Sequence, residues 1–127
     1  GDSVTLAPGA VKMVYATAND GTNPDIDDTG FITASSTDTM GAVISYKNNA
    51  GTNVLNTDIV LQLSADNGSN YTTATLVDNG NLDSVTKVAS VSDVSVTAGT
   101  QLKYKISFAN QVKNSKDCRV TGVSLQF

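Results

Sequence analysis

Several residue types that carry enzyme chemistry are missing or scarce in this sequence. Its 127 residues include no histidine, no glutamate and no tryptophan, and a single cysteine, Cys118. Without imidazole, mechanisms that use histidine as a base, a proton shuttle or a metal ligand are excluded. A pair of catalytic carboxylates would have to consist of two aspartates. These absences predict that the protein is not an enzyme and needs no cofactor.

The low content of cysteine and of basic residues excludes further classes. One cysteine cannot form a disulfide within the chain, and Cys118 lies in a strand-like run that indicates a small buried side chain. Lysine and arginine total 8 against 12 acidic residues, which gives a formal net charge of −4. Such a chain is poorly suited to a nucleic-acid backbone, so no nucleic-acid partner is expected. No apolar run is long enough to suggest membrane insertion.

The residues that are abundant favour strands and turns. Thr, Ser and Asn number 16, 13 and 12, and Thr suits a pleated surface while Ser and Asn suit turns. Residues 101–110 alternate cleanly, with Leu102, Tyr104, Ile106 and Phe108 on one face, as in a strand with one buried side. The sequence therefore predicts an all-β fold: a single antiparallel β-sandwich, jelly-roll-like, with about eight to ten short strands.

The centre of the chain, Val54–Leu76, predicts a β-hairpin. Alternation around Leu61 gives the first strand, and the Asn67-Gly68 dipeptide is a strong signal for the turn. Because polar groups at a turn tip are available to a ligand, this tip is the candidate ligand-binding site; the alternative is a solvated turn that binds nothing. Its candidate residues are Asp66, Asn67, Asn70 and Tyr71.

An acidic segment, Asn19–Gly30, is the only candidate metal site in the sequence. Clustered carboxylates suit a hard cation such as Ca²⁺, although the spacing does not match an EF-hand loop. The alternative is a solvated surface loop that holds no metal. The candidate calcium ligands are Asp20, Asp25, Asp27 and Asp28.

The last segment, Cys118–Phe127, predicts a strand with a β-bulge. Val120 has the same parity as Cys118, whereas Val123 and Leu125 have the other parity, and the change falls at Gly122. A glycine where the alternation changes face is typical of a bulge.

Three stretches resemble the C-terminal β-sandwich regions of tail-fibre and other virion structural proteins of tailed bacteriophages, especially marine and cyanobacterial ones. These stretches are Leu55–Leu76, Ser95–Gln111 and Arg119–Phe127. Three motifs are shared with that family: a strand that ends in a Ser-x-Asp-x-Gly turn followed by an aromatic residue, a Lys-Tyr-Lys-Ile-like core, and a Gly-Val-x-Leu closing strand. Here they correspond to Ser64, Asp66, Gly68 and Tyr71, to Lys103–Ile106 and to Gly122–Leu125.

The resemblance implies that residues 1–127 are one β-sandwich domain, the C-terminal module of a longer virion protein. It implies a location on the exterior of the phage particle, other virion proteins and a host-surface glycan as partners, and no catalytic residues. It also implies a homotrimer. Val14, Val43 and Val60, on the faces opposite the predicted core residues, are candidate contacts; the alternative is that they face the second sheet of the sandwich. Two alternatives are a capsid decoration or head-fibre protein, and a carbohydrate-binding module of a secreted enzyme.

Overall fold

The described part of the chain consists of strands joined by turns and loops. The computed structural model describes residues 4–5, 11–12, 16–17, 21–112 and 115–127, with side chains for 32–48, 50–112 and 115–127. These residues form nine strands and no helix, which confirms the all-β prediction. The strands are β1 (Val4–Thr5), β2 (Val11–Lys12), β3 (Ala16–Thr17), β4 (Gly21–Ala50), β5 (Ile59–Ser64), β6 (Thr72–Ala74), β7 (Val77–Asn81), β8 (Thr86–Gln111) and β9 (Asp117–Gln126).

Two long strands hold the sheet together. The hydrogen-bonded order is β2-β9-β4-β8-β5-β6, with β1 on β4, β3 on β9 and β7 on β8. Only the short β1–β4 pair is parallel among the pairings of the described strands. Since β4 spans 30 residues and β8 spans 26, each pairs with different partners along its length. The expectation of short strands is therefore wrong for these two.

The second half of β8 lies at the centre of the sheet, as its alternation predicts. Leu102, Tyr104, Ile106 and Phe108 are at most 1% exposed. This segment pairs with β4 on one side and with β5 on the other, so both of its edges are hydrogen-bonded. A strand with two neighbours and one fully buried face contributes strongly to the core.

Buried side chains from distant strands share one core. Strands β5 and β9 lie three positions apart in the sheet, yet their apolar residues belong to the same hydrophobic cluster. This sharing indicates that the sheet curves around its own apolar face. The jelly-roll-like sandwich itself stays a prediction; the structure establishes an all-β, mainly antiparallel sheet.

Two short segments of turn-like composition, rich in Ser, Thr and Gly, lie inside the long strands. Residues 35–39 continue β4, and residues 98–100 continue β8. Register shifts in the β4–β8 pairing absorb the irregular backbone without ending either strand. Gly99 is needed for close packing instead of a turn, because a Cβ there would overlap the backbone of Ala65 and Asp66.

The predicted bulge in β9 is confirmed. Ser45 pairs with Gly122 and Tyr46 pairs with Val120, so Thr121 is the extra residue. The Oγ atom of Ser45 and the Oγ1 atom of Thr121 lie 2.8 Å apart in a hydrogen bond across the bulge. The bulge lets both Val120 and Val123 be buried despite their opposite parity.

We expect the substitution Ile106→Ala to lower the free energy of unfolding by roughly 2–5 kcal/mol, because it removes buried methyl groups and leaves a cavity. Chemical denaturation of the purified domain measures this change. Ser107→Ala, one residue along the same strand on its half-buried face, is the matched control and should change stability little. Equal denaturation midpoints for Ile106→Ala and the parent would show that β8 is not central.

Candidate functional site

The predicted hairpin and its turn are present. Strands β5 and β6 pair antiparallel, with Leu61 opposite Ala74 and Leu63 opposite Thr72. Asn67 has a φ of 60° and Gly68 a φ of 81°. Both residues therefore occupy the left-handed region, which asparagine and glycine tolerate best. The local sequence alone accounts for this turn.

The polar groups at the hairpin tip are largely engaged with one another. Asp66 accepts hydrogen bonds from the Asn70 backbone N–H (3.0 Å), the Asn70 side-chain amide (2.8 Å) and the Ser64 hydroxyl (2.7 Å). The Asn70 side-chain hydrogen bond, followed by that of Ser64, lowers the pKa of Asp66 below its ordinary value. The backbone N–H of Gly68 in turn donates to Ser64 Oγ (2.9 Å). Asp66 and Asn70 therefore have a clear structural role.

The other two tip candidates differ in exposure. Asn67 is exposed at the turn, whereas Tyr71 is half-buried. The Nζ atom of Lys105 lies 6.0 Å from the centroid of the Tyr71 ring, at the outer limit of a cation–π contact. The ring thus packs against its own sheet. Ligand binding at the tip stays a prediction.

The acidic segment is not the loop that the sequence suggests. Asp25, Asp27 and Asp28 lie within β4, and Asp27 pairs with Lys105 while Asp28 pairs with Tyr104 of β8. Asp20 lies outside the described residues. Among the side chains that the structure describes, no group of three or more His, Cys or Asp residues could hold a metal ion. The calcium site stays a prediction.

A buried carboxylate that the sequence analysis missed ties three segments together. Asp58 is 1% exposed, and its Oδ2 atom lies 2.6 Å from the Nζ atom of Lys116. The Val54 N–H donates to Oδ2 (2.7 Å) and the Asn110 side-chain amide donates to Oδ1 (2.9 Å). The Ala109 N–H also donates to the Asp58 backbone carbonyl (2.9 Å). Asp58 thus joins the loop before β5 to the end of β8 and to the residue preceding β9.

Gln111 extends this cluster of buried polar groups. Its side-chain amide donates to the Asn53 Oδ1 atom (2.8 Å), and its Oε1 atom accepts from the Cys118 N–H (3.0 Å). Asn53 donates in turn to Asn48 (2.7 Å) at the end of β4. Sequence offers no signal for these contacts, because Asn and Gln in turn-like segments ordinarily face water.

Two buried groups have shifted pKa values. Burial alone would raise the pKa of Asp58, but hydrogen bonds from Lys116, Val54 and Asn110 outweigh it and leave the pKa below its ordinary value. Burial raises the pKa of the Cys118 thiol to about 12, with Asp117 and Asp58 adding to the effect. The Cys118 thiol is therefore unreactive near neutral pH, as the sequence suggests.

A surface pocket of about 290 Å³ lies where β4, β8 and β9 meet. It sits at an irregularity of the β4–β8 pairing, because Met40 pairs with Val94 whereas Ala42 pairs with Val91. Ser92 and Asp93 are thereby displaced from regular pairing. The pocket is lined by Thr37, Thr39, Met40, Gly41, Ser92, Asp93, Gln126 and Phe127. None of these residues was a candidate from the sequence, because the pocket combines three distant segments.

Comparisons with protein-family models, with curated proteins and with solved structures found no match. The described part of the chain has no helix that could cross a membrane.

We expect Asp58→Ala to lower the free energy of unfolding at pH 7 by roughly 3 kcal/mol. This is the low end for breaking a buried ion pair, because Lys116 keeps some contact with water. Since the folded-state pKa of Asp58 lies below the unfolded value of 3.8, its contribution is fully present above that value. It is lost as the pH falls through the lower, folded-state pKa. Denaturation of parent and variant at several pH values measures this dependence.

The difference between parent and Asp58→Ala should accordingly shrink in strong acid. Asp66 and Asp83 also have lowered pKa values, so the parent alone would not isolate the contribution of Asp58. A difference that stays constant down to pH 2 would contradict the role given to the Asp58 carboxylate.

We expect Asp66→Ala to lower the melting temperature, because the Asn70 donors and the Ser64 hydroxyl lose their acceptor. Asn67→Gly at the same turn is the control, and its melting temperature should not fall because glycine favours a φ near 60°. Thermal unfolding measures both changes. If Asp66→Ala melts with the parent, the tip contacts do not order the hairpin.

Proposed function

We propose that the chain is a non-enzymatic structural and adhesion module of a bacteriophage particle, specifically a tail-fibre domain that takes part in attachment to the host surface. The observation that carries this proposal is the placement of the three family-like stretches. Leu55–Leu76 contains β5 and β6, Ser95–Gln111 is the part of β8 that pairs with β5, and Arg119–Phe127 contains most of β9. Stretches distant in sequence thus contribute to one sheet and one core.

The chemistry of the described side chains supports a binding role over catalysis. The buried Asp58 carboxylate is held by three donors, which leaves it little freedom to act as a base. The Cys118 thiol is buried with a pKa of about 12, so it is not a nucleophile. Polar groups on exposed turns, by contrast, are suited to hydrogen bonding with a partner.

An uncharged apolar surface supports assembly with other subunits, and we propose the homotrimer on this basis. Leu82 is 70% exposed and lies beside a shallow cavity of about 280 Å³. Val43, one of the three contacts suggested by the sequence, lines this cavity; Val60 is half-buried on β5, and Val14 lies outside the described residues. The cavity is lined by Val43, Ser45, Leu82, Val88, Gly122, Val123 and Ser124.

The same apolar surface favours a second candidate function, that of a capsid decoration or head-fibre protein. An uncharged patch can pack against capsid subunits as well as against copies of itself. The two functions place the domain at different parts of the virion, and that difference makes them separable by experiment.

We expect antibodies against this domain to label the ends of tail fibres on intact particles, viewed by immunogold electron microscopy. Averaged cryo-electron microscopy density at the labelled position should show three copies around one axis, because cyclic symmetry repeats the same contact three times. Label on the capsid would establish the decoration function instead. Particles without label would overturn both, and one copy or two copies per attachment point would exclude the trimer.

A further inference from the structure

We propose that the pocket between β4, β8 and β9 binds a neutral sugar ring, with Asp93 and Gln126 as hydrogen-bonding residues and Phe127 as the apolar contact. This inference rests on the proposed adhesion function and gives it a site. That site is distinct from the hairpin tip. The two are connected through Gly99, because Thr37, which lines the pocket, pairs with Gly99, and Gly99 packs against Ala65 at the tip.

The backbone at Asp93 is held in an unfavourable conformation. Its φ is 57°, and it is the only aspartate among the described residues with a positive φ. A non-glycine residue in the left-handed region costs stability, and such residues persist where the surrounding structure requires them, often at binding sites. The displaced pairing at Ser92 and Asp93 turns this residue into the pocket wall.

Asp93 also differs from the other aspartates in its contacts. Within the described part of the chain, five other aspartate side chains accept a hydrogen bond or form an ion pair: Asp38, Asp58, Asp66, Asp78 and Asp83. The exposed Asp93 carboxylate forms no hydrogen bond or ion pair with any residue that the structure describes. Asp93 is therefore strained, accessible and not required as a structural acceptor.

Gln126, at the end of β9, lines the same pocket as Asp93. It pairs with Gly41, and a Cβ at Gly41 would lie 3.0 Å from the Gln126 Oε1 atom and 2.8 Å from the Val91 carbonyl oxygen. The absence of a side chain at Gly41 thus leaves room for Gln126 to lie over β4. Its exposed amide offers a donor and an acceptor to the pocket that Asp93 also lines.

The pocket's chemistry selects the ligand class. Carboxylate, amide and threonine groups suit ligand hydroxyls, and the half-buried Phe127 ring suits the C–H face of a sugar. The lining residues carry no positive charge, and Asp93 repels anions, so acidic sugars and phosphates are disfavoured. A volume of about 290 Å³ lies at the small end for ligand pockets, which limits the ligand to about one ring.

A nuclear magnetic resonance titration of the ¹⁵N-labelled domain tests the proposal. The probes are methyl glycosides of neutral hexoses and N-acetylhexosamines, with glucuronic acid as the anionic comparison. We expect amide shifts at Gly41, Ser92, Asp93 and Gln126 with at least one neutral probe, and none with glucuronic acid. Binding should weaken at least tenfold in Asp93→Gly and in Asp93→Asn, because a hydrogen bond to a charged group is lost.

Asp93→Gly separates binding from folding. Glycine relieves the positive φ, so this variant should melt no lower than the parent while losing affinity. Asp78→Asn, the same chemical change on exposed β7, is the matched control and should bind like the parent. The absence of shifts with every neutral probe, or unchanged affinity in both Asp93 variants, would overturn the inference.

The experiment also distinguishes this inference from the proposed function. If fluorescently labelled domain attaches to host cells and Asp93→Gly attaches equally well, adhesion stands and the pocket inference fails. If the pocket binds a neutral sugar but the domain does not label the particle, the pocket inference stands and the virion function fails.

Discussion

The pairing of two long strands is the constraint on which the described structure depends. Strand β8 uses one segment to pair with β5 and another to pair with β7, while β4 pairs with β8 along most of its length and with β9 near its end. Successive side chains of a strand point to opposite faces of the sheet. A long strand can keep its apolar side chains on the core face against several partner strands only if the pairing register shifts locally. The shifts at Thr121 in β9 and at Asp93 in β8 are such adjustments.

These shifts connect packing to the proposed chemistry. At Thr121 the extra residue allows Val120 and Val123 to be buried together, so the irregularity serves the core. At Asp93 the irregularity leaves a residue with a positive φ and an exposed carboxylate in the pocket that Gln126 also lines. The same type of backbone feature thus stabilises the fold at one position and forms a candidate ligand pocket at another.

The buried polar cluster around Asp58 has a different role. This cluster lies where the loop before β5 meets the end of β8 and the start of β9. The apolar alternation of the strands has ended there, and the buried backbone groups still require hydrogen-bond partners. Asp58 and Gln111 supply those partners through side chains. The network joins these segments without a disulfide, since the chain has one cysteine, and the Asp58–Lys116 ion pair makes this region sensitive to acid.

Sequence alone determined the features that depend on neighbouring residues. The alternation of Leu102 to Phe108 predicted a buried strand, the Asn67-Gly68 dipeptide predicted the turn, and Gly122 predicted the bulge, because each signal lies within a few residues. The resemblance to phage virion proteins, the trimer and the glycan partner stay predictions. Tertiary structure alone decided the rest. From the sequence, Gly99 would be assigned to a turn, but the structure shows that it allows close packing against Ala65. The Asp25–Asp28 segment would be assigned to a loop, but it pairs with β8. Asp58 meets Lys116, and Asp93 and Gln126 come to line one pocket, only after folding, since chain periodicity does not relate these residues.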